Sequence, residues 1–156
     1  MQDRPEPAES PAPPDSQAAL HARVGGVDGT PALTAEQLER LLAWLRWSSG
    51  EIRGGMDAYV RVRSAARADA FARVAEELER TAPEGNAALL ALAARLRARS
   101  LSGEVPPDVK APRLWRADRP VPELDPIRVR REQRIGFALG LASGAAQIHV
   151  AAGGKV

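Results

Sequence analysis

Large apolar side chains recur at three- and four-residue intervals in three runs of this chain, each bounded by polar or helix-breaking residues. In the first, Leu38, Leu41, Leu42 and Leu45 form one stripe. Thr34 with Gln37 three positions on is a capping box, so the pattern predicts a helix starting at Thr34. Glu36–Arg40 supplies an i,i+4 pair, and Ser48-Ser49-Gly50 supplies the stop. A second helix is expected from about Met56 to Arg80. Met56, Val60, Phe71, Val74 and Leu78 share a stripe there, and Asp57–Arg61, Asp69–Arg73 and Glu76–Arg80 repeat an acid-then-base spacing. The third run starts after the breaker Thr81-Ala82-Pro83-Glu84. It carries Leu89, Leu92 and Leu96 on one face and arginines near its end, where cations suit the helix dipole.

Two polar, proline-dense stretches frame these runs. Six of the 13 prolines fall between Pro5 and Pro31, among Ala, Ser, Asp and Glu, so residues 1–33 are expected to be a disordered leader. Residues 103–125 hold five more prolines and read as an extended linker or strap, with Trp115 able to pin it to the body. Arg113, Arg116 and Arg119 around that Trp have the spacing of a backbone-contacting strip for nucleic acid. The expected architecture is mostly α: a leader, a three-helix body over residues 34–102 packed as a small bundle, the strap, and a C-terminal element over residues 126–156.

That last element is the least ordinary stretch. Asp125-Pro126 is a helix opening, cap then proline at the first position. Arg128, Arg130, Arg131 and Arg134 follow, and then 20 residues without charge, Ile135 to Gly154. The length suits a membrane span, but only six of those residues are large and apolar, five are glycine, and Gln147 and His149 would enter hydrocarbon. Ile135, Phe137, Leu139 and Leu141 also alternate with small residues, which permits a hairpin turning at Ser143-Gly144. Gly136, Gly140 and Gly144, spaced by four, would on a helix form a groove that lets another backbone approach, the mark of a buried packing helix.

Over residues 134–152 the order Ile135, Leu139-Gly140-Leu141, His149-Val150 resembles the helix-turn-helix of sigma-factor C-terminal regions and of LuxR-type regulators, with Ala145-Ala146 where those families carry Thr-Val. The resemblance implies two short helices meeting at a turn at Gly140, the second one reading DNA. Ser143, Gln147 and His149 would then be the polar groups that reach bases or phosphates. The four arginines from Arg128 to Arg134 would neutralise phosphates.

Composition narrows the classes. Alanine, arginine and leucine dominate, as in proteins of GC-rich bacteria, and aromatic residues are scarce. The net charge is only +2, but residues 1–33 hold two Arg against five acids, while residues 101–156 hold nine Lys or Arg against six acids. An anionic partner therefore suits the C-terminal end. No cysteine is present, which removes disulfides and thiol chemistry and fits a cytoplasmic protein. Neither His21 nor His149 has a partner at metal-ligand spacing, and no nucleotide or nucleophile signature occurs; no enzyme, metal or cofactor is expected. Arg63 and Arg67 interrupt the apolar stripe of the second helix, where they can meet an anion or a partner's carboxylate, and Trp44 and Trp47 flank the leucine stripe of the first as further partner-binding candidates. The expected function is a small, non-enzymatic DNA-binding protein, regulatory or accessory to DNA transactions, with a protein partner or second copy on its body. A helical adaptor or assembly subunit that uses the C-terminal segment for packing is the alternative, and a membrane tail is the third.

Overall fold

A computed structural model of the chain describes residues 31–50, 57–109 and 124–154. Within them lie four α-helices: α1 (Ala35–Gly50), α2 (Ala58–Thr81), α3 (Asn86–Ser102) and α4 (Pro126–Ala151). A 3₁₀ turn, Ala82–Glu84, joins α2 to α3. The mostly helical bundle expected from the apolar stripes is what forms.

The starts and stops follow from named side chains. The Thr34 amide donates to Gln37 Oε1 at 2.8 Å and the Gln37 amide to Thr34 Oγ1 at 3.0 Å, so both halves of the capping box are made. Pro31 to Thr34 already belong to the folded unit. Ala32 and Leu33 are fully buried, and the Pro31 carbonyl accepts the Asn86 amide at 2.8 Å. The body thus begins before residue 34. Asp57, expected to pair with Arg61, caps α2 by accepting from the Tyr59 and Val60 amides. Gly103, at φ 73°, ends α3 in the left-handed conformation that glycine adopts without cost.

One cluster forms the core: Leu33, Leu41, Leu42 and Leu45 meet Phe71, Val74 and Leu78 of α2, Leu89, Leu92 and Leu96 of α3, and Phe137, Leu141 and Ile148 of α4. Val60, expected in the α2 stripe, is instead exposed; the buried side of α2 is largely alanine, including Ala66 and Ala70. Small side chains there let another helix come close. The first part of the strap packs on the bundle as well. Val109 is buried, and Asp108 accepts from Arg73 at 3.1 Å. Trp115, Arg113, Arg116 and Arg119 lie outside the described residues.

The C-terminal element departs most from expectation. Residues 126–151 are one continuous helix, with neither the turn at Gly140 that the helix-turn-helix resemblance implies nor the alternative hairpin at Ser143-Gly144. The reason is what lies opposite. A Cβ added at Gly136 would stand 2.0 Å from the Arg63 carbonyl oxygen. At Gly140 it would meet the Ala70 Cβ and the Arg67 carbonyl oxygen at 2.6 Å, and at Gly144 the Val74 Cγ1 at 2.8 Å. The three glycines are therefore notches into which the backbone and small side chains of α2 fit. Rising numbers on both helices mean that α2 and α4 run in the same direction, and α3, whose end at Gly103 lies against Arg134, runs back between them. Their interface is the most extensive in the described bundle. No described helix is long and apolar enough to cross a membrane.

Candidate nucleic-acid interface

The start of α4 is fastened to α2 by three contacts. Asp125 caps the helix by accepting from the Ile127 amide at 3.1 Å, while its own amide donates to the Tyr59 hydroxyl at 3.0 Å. The Arg128 guanidinium carbon sits 3.9 Å from the Tyr59 ring centroid, a cation–π contact. One turn on, Arg63 donates from Nε to Glu132 Oε2 at 2.6 Å. Glu132 is buried, and its hydrogen bond with Arg63 holds its carboxyl below the ordinary glutamate range against the opposing effect of desolvation; the charges of Arg63, Arg128 and Arg131 add to the depression.

These contacts set the rotation of α4 about its axis. The one acid of the arginine run faces inward and is used by Arg63, while Arg130, Arg131 and Arg134 face solvent and form no ion pair among the described residues. With Pro126 and Ile127 they line a shallow open hollow, and a second, smaller one joins Arg130 and Arg134 to Gly103 and Val105. The Arg134 stem lies along Gly103 at the end of α3. Ile127, 80% exposed, adds an aliphatic side chain to the arginine surface. Arg130, Arg131 and Arg134 stand one to two turns into α4 with no acid among them on the exposed side, so their like charges concentrate positive potential there.

The other candidates from the sequence are elsewhere. Ser143 and Gln147 are exposed, but on a continuous helix Ser143 is roughly 180° around the axis from Arg134 and about 14 Å along it. The arginines and the expected base-reading groups therefore do not share a face. His149 is half-buried and serves the helix end: its carbonyl accepts the Gly154 amide at 2.8 Å, and the Val150 carbonyl accepts that of Gly153, whose φ is 87°. This is a Schellman closure, with the His149 ring packed over Gly154.

The partner-binding candidates on the body divide the same way. The anion expected for Arg63 is Glu132 of the same chain. Arg67 is half-buried, and its carbonyl abuts Gly140. Trp44 makes an edge-on contact with Phe71, ring centroids 5.2 Å apart at 79°, and packs against the core, whereas Trp47 is 60% exposed. Glu132, the buried partner of Arg63, is the residue of this site that sequence reasoning passed over. Its signal was the four-residue spacing Glu132, Gly136, Gly140, Gly144, which puts it on the buried stripe. Among the described residues no group of three or more His, Cys, Asp or Glu is placed to hold a metal ion. Comparison with known proteins finds no matching family, no matching curated protein and no matching solved structure.

Proposed function

We propose that this chain is a small, non-enzymatic DNA-binding protein, regulatory or accessory to DNA transactions, that holds duplex DNA by its phosphates through Arg130, Arg131 and Arg134. The observation that carries the reading is the sorting of charge in the arginine run: the acid is turned inward, and three exposed guanidiniums stand on one rigid helix end. Guanidiniums bind phosphate through paired N–H donors, and the helix fixes the backbone positions from which they reach. Because Ser143 and Gln147 lie away from the arginines, binding is through the backbone of the duplex and tolerant of sequence. Fluorescence anisotropy with a labelled duplex at low salt tests this. Binding is expected for the wild type, to be lost in R130A/R131A/R134A and kept in S143A/Q147A; no binding by the wild type at low salt ends the reading.

A helical adaptor is the second reading. It is favoured by the use of the Gly-notched half of α4 as packing surface and by the exposure of Trp47, Leu101 and Ile127. Such a partner would be captured in the presence of high salt, where phosphate contacts fail.

A further inference from the structure

Among the described residues the most exposed large apolar side chains are Leu101 and Ile127, each 80% in solvent. Ile127 differs in its setting. At about 100° of turn per residue, Arg130 stands about 60° to one side of it around the α4 axis and Arg131 about 40° to the other, with Arg134 two turns along and within about 20°. All four line one hollow, together with Pro126. An aliphatic side chain thus occupies the centre of an arc of three exposed guanidiniums. The backbone that carries it is held on both sides. The Asp125 amide donates to the Tyr59 hydroxyl at 3.0 Å, the Ile127 amide donates to the Asp125 carboxylate at 3.1 Å, and Pro126 between them has its φ fixed by its ring. Arg128 folds away over the Tyr59 ring, 3.9 Å from its centroid. The position of Ile127 is therefore set before any ligand arrives.

We propose that Ile127, backed by Pro126, is an apolar wedge that enters the minor groove of bound duplex DNA and bends it. The inference rests on the phosphate-binding reading and adds what the arginines straddle. The minor groove is ~6 Å wide and bordered by the phosphates of both strands. Arginines that diverge to either side of Ile127 reach one strand each, which sets Ile127 over the groove between them. An apolar side chain pressed against a base step there unstacks it and kinks the duplex toward the major groove, by about 20–90° in known cases. Minor-groove edges carry little sequence information, so binding stays tolerant of sequence, while the bend is cheapest at flexible or mismatched steps. An anionic bilayer also offers phosphates above an apolar layer. One isoleucine and one proline bury little area there, and stable anchoring takes a wider apolar face. The balance of three cations to one aliphatic side chain therefore favours the groove.

Energy transfer between dyes at the two ends of a short duplex reads the bend, with anisotropy on the same samples reading binding. The full wild-type chain is expected to shorten the end-to-end distance and to bind a centrally mismatched duplex about tenfold more tightly than a matched one. Ile127→Ala is expected to keep the melting temperature and the salt slope of binding, but to lose both the bend and the preference for the mismatch. Leu101→Ala, equally exposed but outside the hollow, is expected to behave as wild type. Binding without a bend, a bend that survives Ile127→Ala, or a loss shared equally by Leu101→Ala would each overturn the wedge and leave the phosphate-binding reading standing. No duplex binding at low salt overturns both. If the wild type instead binds phosphatidylglycerol vesicles and Ile127→Ala does not, the patch belongs to a lipid surface and the proposal is overturned.

Discussion

Arg63 donates from Nε to the Glu132 carboxylate at 2.6 Å, tying α2 to α4 beside the first glycine notch. The carboxylate is buried and the guanidinium is 42% exposed, so water screens one side of the pair. A pair of this kind costs more to break than it contributes when made, because the lost partner strands the other. Glu132→Gln is expected to lower stability by about 1 kcal/mol, a figure kept small by the exposure of Arg63. Chemical denaturation of the two proteins at neutral pH measures it.

The same pair gives a pH dependence of definite sign. The Arg63 hydrogen bond depresses the Glu132 carboxyl in the folded chain, so its contribution is complete above the ordinary glutamate value of ~4.3. It is lost as pH falls from there through the depressed folded value. Thermal melts from pH 7 to pH 3 should show the gap between wild type and Glu132→Gln closing below about pH 4. A gap that widens on acidification contradicts this assignment.

Glycine notches reverse an ordinary rule. Replacing glycine by alanine inside an exposed helix stabilises by ~1 kcal/mol through propensity. At Gly136 the added carbon would stand 2.0 Å from the Arg63 carbonyl oxygen, which cannot rotate away. Gly136→Ala is expected to destabilise by about 2 kcal/mol or more, and Gly144→Ala, which meets the Val74 side chain, by less. Ser143→Ala, on the exposed side, serves as the neutral control in the same melts.

Those glycines also explain which parts of the chain were legible in its sequence. Helices α1 to α3 were, because capping residues, leucine stripes and acid–base pairs all report on the chain's immediate neighbourhood. Gly140 did not yield its role so directly: a glycine suits a turn through its backbone freedom and a helix crossing through its missing side chain. Only the backbone of α2, some seventy residues away in sequence, decides between the two. The Arg63 position was equally ambiguous, since the acid that answers it sits inside an arginine run and reads there as one charge among many. The arginine end of α4 was found from charge alone, but its separation from Ser143 and Gln147 required the continuous helix.

The N-terminal edge of the body makes a local prediction. Leu33, 1% exposed, precedes the Thr34–Gln37 capping box and sits in the main core cluster. Leu33→Ala is expected to cost about 2–4 kcal/mol through the cavity it leaves. Thr34→Ala removes one capping bond and should cost ~1 kcal/mol. If Leu33→Ala melts like the wild type, the folded unit does not extend to this residue.

The most direct measurement of the DNA-binding reading is the salt dependence of duplex affinity for the full chain, with and without its three exposed α4 arginines. Each phosphate neutralised contributes about −0.9 to the slope of log K against log salt, so single changes at Arg130, Arg131 and Arg134 should each shrink the slope by about 1. Expected is a steep slope for the wild type that flattens stepwise to R130A/R131A/R134A. A wild-type affinity that is absent at low salt, or a slope untouched by these substitutions, would contradict the assignment of this helix end to DNA.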